Sequence, residues 1–129
     1  MSRIYYLNFS YTDCWYGKIL KGYTHVDLIA RTNKAFVELS PLASRCFILV
    51  GDEVTIDKPE GFLRVRVAHS SRAQLIKPTI QTCTTFVQYV MGINVGAFLC
   101  QTLYDRLTTK QYPGIEVTKW QRKGILTLN

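Results

Sequence analysis

The chain begins with aromatic and aliphatic residues crowded into "IYYLNFSY", residues 4–11. So short a run of strand-forming residues predicts a β-strand. Two more such runs, "THVDLIA" and "AFVELSP", flank the polar "RTNK" and predict a hairpin that turns at residues 31–34. In the first of them Val26, Leu28 and Ala30 alternate with Asp27 and Ile29. "SRCFILVGD" predicts a further strand, ended by Gly51-Asp52. In "GFLRVRVAH" the residues Leu63, Val65 and Val67 alternate with Arg64, Arg66 and Ala68, which is the pattern of a half-exposed strand. Between the first strand and the hairpin, "DCWYGKILKG" predicts one or two helical turns, capped by Asp13 and stopped by Gly22.

After Pro78 the period changes from two to three and four. Cys83, Phe86, Val87, Val90 and Met91 fall on one helical face, with Thr82 as N-cap and Gly92 at the C-terminal cap. A second helix is predicted from Asn94 as its cap, with Leu99, Leu103 and Leu107 in line and Tyr104 beside them. Pro113-Gly114 breaks the chain, and "IEVTKW" with "GILTLN" predicts a terminal hairpin. Strands, then helices, then strands give the α+β class with a mainly antiparallel sheet. A length of 129 residues suits one domain, spanning residues 1–129.

Composition narrows the function classes. With 47% hydrophobic and 19% charged residues the chain is globular in character. No apolar run approaches the roughly 20 residues of a membrane span, and the first residues do not read as a signal peptide. The net charge is +7, but the basic residues are scattered, with pairs such as Lys18 and Lys21 or Arg64 and Arg66 and no dense run. Nucleic acid is therefore not the expected partner. No phosphate-binding glycine loop and no metal-ligand spacing occurs, so no cofactor and no metal are expected.

Cys14, Cys46, Cys83 and Cys100 contain no Cys-x-x-Cys pair, and a disulfide framework is not expected. Cys14 and Cys100 are assigned to packing. Cys83 differs, because it occupies the first position of a predicted helix. There the free N–H groups and the dipole favour a thiolate and can hold an oxyanion. A thiolate nucleophile needs a base, and the chain has two histidines. His25 opens the strand "HVDLIA", which presents an imidazole rigidly to a facing helix. The base in turn needs a group on its other nitrogen. Glu38, on the partner strand, falls one or two rungs from His25 when the hairpin is registered about "RTNK". Ser40 is the alternative, and Asp27 takes the role if it is the group that faces the ring. His69 reads as a surface residue beside Ser70-Ser71. Trp15 and Tyr16 either line a cleft near His25 or belong to the core.

"WYGKILKGYTHVDLIA", followed much later by "TCTTFVQYVMGI", resembles the circularly permuted papain-like cysteine hydrolases, which relate to NlpC-type cell-wall peptidases and to the lecithin retinol acyltransferase group. In them the histidine strand precedes the cysteine helix. The matching residues are Tyr23-Thr24-His25, a polar residue on the next strand, and Cys83-Thr84-Thr85-Phe86-Val87. The resemblance covers about residues 14–108 and extends to small proteins of this type in tailed bacteriophages. Thr82 departs from it, since many relatives have Asn, Ser or Asp before the cysteine.

The resemblance implies a permuted papain-like fold, with an antiparallel sheet packed against a cysteine-bearing helix. It implies a thiol hydrolase, a peptidase or amidase, with Cys83 as nucleophile, His25 as base and Glu38 as third residue. Tyr23 and Gln81 are the candidates for a second oxyanion donor. The substrate would be a peptide or amide, and the place of action the host cytoplasm or the virion. The rival expectation is a structural component of a virion neck, tail or capsid, with other virion proteins as partners.

Overall fold

The computed structural model describes residues 2–11, 22–41, 46–68 and 82–128. Along them run β1 (Ser2–Ser10), β2 (His25–Arg31), β3 (Phe36–Pro41), β4 (Cys46–Gly51) and β5 (Glu53–Ile56). A 3-10 turn (Pro59–Gly61), β6 (Phe62–Ala68), α1 (Cys83–Met91), α2 (Cys100–Thr109), β7 (Ile115–Lys119) and β8 (Gly124–Thr127) follow. The class is α+β, with a large antiparallel sheet and two helices among the described residues.

The six-stranded sheet has the order β4-β3-β2-β1-β6-β7, and β5 pairs with β8 in a separate ribbon. Strand parity divides the apolar residues between two cores. On one face Leu7, Phe9, Val26, Leu28, Leu63 and Val65 pack beneath Val87 and Met91 of α1 and Leu103 and Leu107 of α2. On the other face Tyr6, Ile29, Phe36, Ile56 and Phe62 form a second cluster, joined by Trp120 and by Val54 and Leu126 of the ribbon. The sheet is therefore covered on both sides, by helices on one and by the ribbon on the other.

The predicted terminal hairpin does not form. β7 extends the sheet along β6, whereas β8 crosses to β5. Trp120 follows β7 directly, donates its N–H to the carbonyl of Phe62, and sets its ring edge-on to Tyr6 and Phe62. Burying that indole and pairing β6's free edge compete with a local turn and win. The hairpin turn between β2 and β3 also differs from expectation. It lies at residues 32–35, because the Thr32 hydroxyl accepts from the N–H groups of Lys34 and Ala35 while Thr32 N–H reaches the Ala35 carbonyl. Ile29 then pairs with Glu38 and Leu28 with Leu39.

α1 begins and ends as its sequence predicts. Thr82 and Thr85 cap one another reciprocally, and Gly92 takes a left-handed φ of 75° to close the C-terminus. The second helix starts later than Asn94. The Asn94 side chain accepts from Gly96 N–H in a local turn, and α2 opens at Cys100. What holds the 92–99 segment is Gln88, buried in α1. Its amide donates to the carbonyls of Thr84 and Ala97, and its oxygen accepts from Val95 N–H. Residues 12–21, which contain the predicted helical turns, lie outside the described residues.

Candidate active site

The β2–β3 ladder stops at Leu28–Leu39, so the first residues of β2 are not paired with β3. β3 continues instead with β4, where Ser40 pairs with Phe47 and Pro41 with Cys46. The N-terminus of α1 comes in at this end of the sheet. Cys83 comes near enough to the His25 ring and to Val26 N–H for both to lower its pKa, and the thiol in turn raises that of His25.

His25 also reaches a carboxylate. Its Nε2 lies 2.6 Å from Asp27 Oδ1, and both side chains are largely buried, 15% and 19% exposed. The Ser40 hydroxyl is 3.5 Å from the same nitrogen. With Nε2 given to Asp27, Nδ1 is the nitrogen that remains for the sulfur. Asp27 reaches the ring because residues two apart on a strand share a face. Ser40 reaches it because the β2–β3 register, carried one rung further, sets Ser40 across from Asp27 and diagonal to His25.

Electrostatics follow from these contacts. His25 is raised to about 10, first by the hydrogen bond to Asp27 and then by that to Cys83, with burial opposing both. Cys83 is lowered to about 4. The largest cause is a hydrogen bond from Cys100; contacts with His25 and Val26 N–H add to it, against burial. Both shifts favour the thiolate of Cys83 and the imidazolium of His25 at neutral pH.

Cys100 is the residue that sequence reasoning missed. Its sulfur is 3.3 Å from that of Cys83 and 3.1 Å from the Thr84 hydroxyl, and the residue is 4% exposed. Placing the helix start at Asn94 put Cys100 inside a helix and away from chemistry. In fact Cys83 and Cys100 are the opening residues of the two helices, and the helix N-termini converge. Donating to the thiolate, together with burial, pushes the Cys100 thiol far up.

Glu38 does not take the third position. Its partner Ile29 is four residues along β2 from His25, about 13 Å at the usual rise per residue. The turn at 32–35 displaced it. A turn at 31–34 would have set Glu38 across from Asp27, one diagonal step from His25. Glu38 remains on the face of Asp27, half-buried, and its carboxyl is raised by burial and by the charge of Asp27. Tyr23 is not placed as an oxyanion donor either. Its hydroxyl donates to the Glu60 carbonyl, and its ring packs against Phe9, Tyr11 and Tyr104.

The backbone offers the better oxyanion donors. Capping uses the N–H groups of Thr82 and Thr85, and Phe86 N–H closes the first helical bond to Thr82. The N–H groups of Cys83 and Thr84 are left at the start of α1. The start of β2 is anchored from behind. Gln101 of α2 accepts from Tyr23 N–H at 2.9 Å, and Gly22 turns there with a φ of 104° where any Cβ would strike the Gln101 amide.

Cys46 opens the edge strand β4, half-exposed, and is not buried as a packing cysteine would be. Cys14, Trp15, Tyr16, His69 and Gln81 lie outside the described residues. Among the described residues no cluster of three or more His, Cys, Asp or Glu side chains is arranged to hold a metal, and no helix is long and apolar enough to cross a membrane. No family model, curated protein or solved structure matches this chain.

Proposed function

We propose that this protein is a thiol hydrolase of permuted papain-like fold, cleaving a peptide, amide or ester by acyl transfer to Cys83. The observation that carries the reading is His25, held at 2.6 Å by the Asp27 carboxylate and close enough to Cys83 at the start of α1 to lower its pKa. A buried cysteine has no need of a histidine held by an acid. The order of elements agrees, with the histidine strand before the cysteine helix.

In this mechanism the Cys83 thiolate attacks the substrate carbonyl carbon. The N–H groups of Cys83 and Thr84 receive the oxyanion. The His25 imidazolium gives its proton to the leaving amine or alcohol as the carbon–heteroatom bond breaks. Neutral His25 then takes a proton from water, which attacks the acyl-enzyme and releases the acid and the Cys83 thiolate. Asp27 holds the ring in orientation and steadies its charge. Glu38 has no part in the reaction.

The test is labelling with an amide-type electrophile and mapping by mass spectrometry. Label is expected on Cys83, and His25→Ala should abolish most of it. Equal labelling of all four cysteines would sink the reading.

A second reading, the virion structural component, is favoured by β4. Phe47, Ile48, Leu49 and Val50 are 52–69% exposed on β4, the outermost strand of the large sheet among the described residues. Such an edge is usually blunted by charge or proline and invites another strand. Light scattering separates the two: a free hydrolase is a monomer or dimer, and an assembly component grows larger.

A further inference from the structure

The sulfur of Cys83 faces two groups, His25 and Cys100. The hydrolase mechanism uses the first and leaves the second unexplained. Cys100 is buried, donates to the Cys83 thiolate, and is itself held by the Thr84 hydroxyl. From the contact distance of 3.3 Å, a bond requires the sulfurs to close by a little over 1 Å. Both lie in first helical turns, where chain enters from the non-helical residues before Cys83 and Cys100.

We propose that Cys83 and Cys100 are a peroxide-reactive pair, in which Cys83 is the oxidised thiol and Cys100 the resolving one, closing to a reversible disulfide. The proposal stands on the thiol pair alone and holds whether or not the site hydrolyses anything. The oxidant is a hydroperoxide. The Cys83 thiolate attacks one peroxide oxygen; the O–O bond breaks, and Cys83 becomes a sulfenic acid as hydroxide leaves. The Cys100 sulfur then attacks the Cys83 sulfur. An S–S bond forms, the S–O bond breaks, and the thiol proton of Cys100 joins the departing hydroxide as water. One hydroperoxide is reduced by two electrons, and two thiols become one disulfide.

The geometry supplies what each step needs. The thiolate at a helix start, beside an imidazolium, is the form that peroxide attacks. While Cys83 is anionic, its charge keeps the Cys100 proton in place. Oxidation of Cys83 to a neutral sulfenic acid removes that charge, so Cys100 becomes more acidic when it is required to react. A buried neighbour at contact distance also captures the sulfenic acid before a second peroxide arrives.

The experiment treats the full chain with equimolar hydrogen peroxide, blocks free thiols with iodoacetamide, and maps the products. No Lys or Arg lies between Cys83 and Cys100, so a tryptic peptide carries both. Chymotrypsin, cutting after Tyr89 and Phe98, separates them. The expected result is a Cys83–Cys100 linked peptide, loss of two of the four free thiols, and recovery of both by a dithiol reductant. In Cys100→Ser the disulfide should be absent, and Cys83 should pass to sulfinic and sulfonic acids that the reductant does not restore. Three outcomes would overturn the proposal: wild-type Cys83 over-oxidised with Cys100 still free, Cys83 linked chiefly to Cys14 or Cys46, or Cys83 left unoxidised. Hydrolase activity is not read in any arm, so failure of the hydrolase reading leaves this result unaffected.

Discussion

At the scale of single residues, the pair Cys83 and His25 sets a pH profile. An ordinary thiol, with pKa near 8.5, alkylates faster as pH rises through neutrality. Cys83, held at about 4, should instead label with iodoacetamide at a level rate from about pH 5 upward, and slow only as pH falls toward about 4 and the thiolate takes a proton. The proposed hydrolysis has a second limit. Above about 10 His25 loses its proton and no acid remains for the leaving group, so turnover falls on both sides while alkylation falls on one. His25→Ala should shift the acid limit of alkylation upward, because the hydrogen bond and the positive charge go together. The third group can be assigned in the same assay. Asp27→Asn keeps the shape and removes the charge behind Nε2, and should lower turnover by roughly 10²-fold or more. Glu38→Gln should leave it nearly unchanged. The reverse ranking would return the role to Glu38.

At the scale of elements, the sequence made plain whatever depends on near neighbours. Leu63, Val65 and Val67 alternate and form β6; Thr82 and Gly92 bound α1. What escaped depends on distant partners or on one side chain's choice of turn. The Thr32 hydroxyl moved the hairpin turn by a residue at each end and carried Glu38 two rungs from its expected place. Asn94 has the chemistry of a helix cap and spends it on Gly96 N–H, so the true start of α2, and with it Cys100, was not visible. The β5–β8 pairing joins residues about seventy apart, and no local pattern encodes it. Gln88 shows how α1 and α2 are brought to one point: of the three bonds its buried amide makes, one goes to Thr84 within α1 and two, to Val95 and Ala97, fix residues 92–99. Gln88→Leu would strand the Ala97 carbonyl and the Val95 N–H, at a cost of roughly 3 kcal/mol. Urea melts should register that loss. Cys100 should also lose its place beside Cys83, so the acid limit of Cys83 alkylation should rise. A destabilised variant with an unchanged limit would show that Gln88 serves stability alone.

At the scale of the whole molecule, the sheet separates two tasks. The helix-side core carries the starts of α1 and α2 and so positions the sulfurs. The opposite core, with Tyr6, Phe36, Phe62 and Trp120, is closed by the β5–β8 ribbon and, among the described residues, contains none of the groups that shift the Cys83 pKa. This division predicts the effect of removing the C-terminal strand. A chain ending at Lys123 loses β8, the half-buried Leu126 and Leu128, and the bond of 2.7 Å from the Arg31 guanidinium to the Leu128 carbonyl. β5 is left without a partner, and Tyr6, Ile56 and Phe62 meet water. The lost burial and the hydrogen bond together amount to roughly 3 kcal/mol, a large share of a small domain's stability. The urea midpoint should fall accordingly. Below that midpoint the shortened chain should still label Cys83 at mildly acidic pH, with the same acid limit as the full chain, because no group that sets the thiolate lies on the removed strand. Loss of acid-side labelling in a chain that circular dichroism shows to be folded would mean that the two cores are not independent, and that the ribbon helps to hold His25 against Cys83.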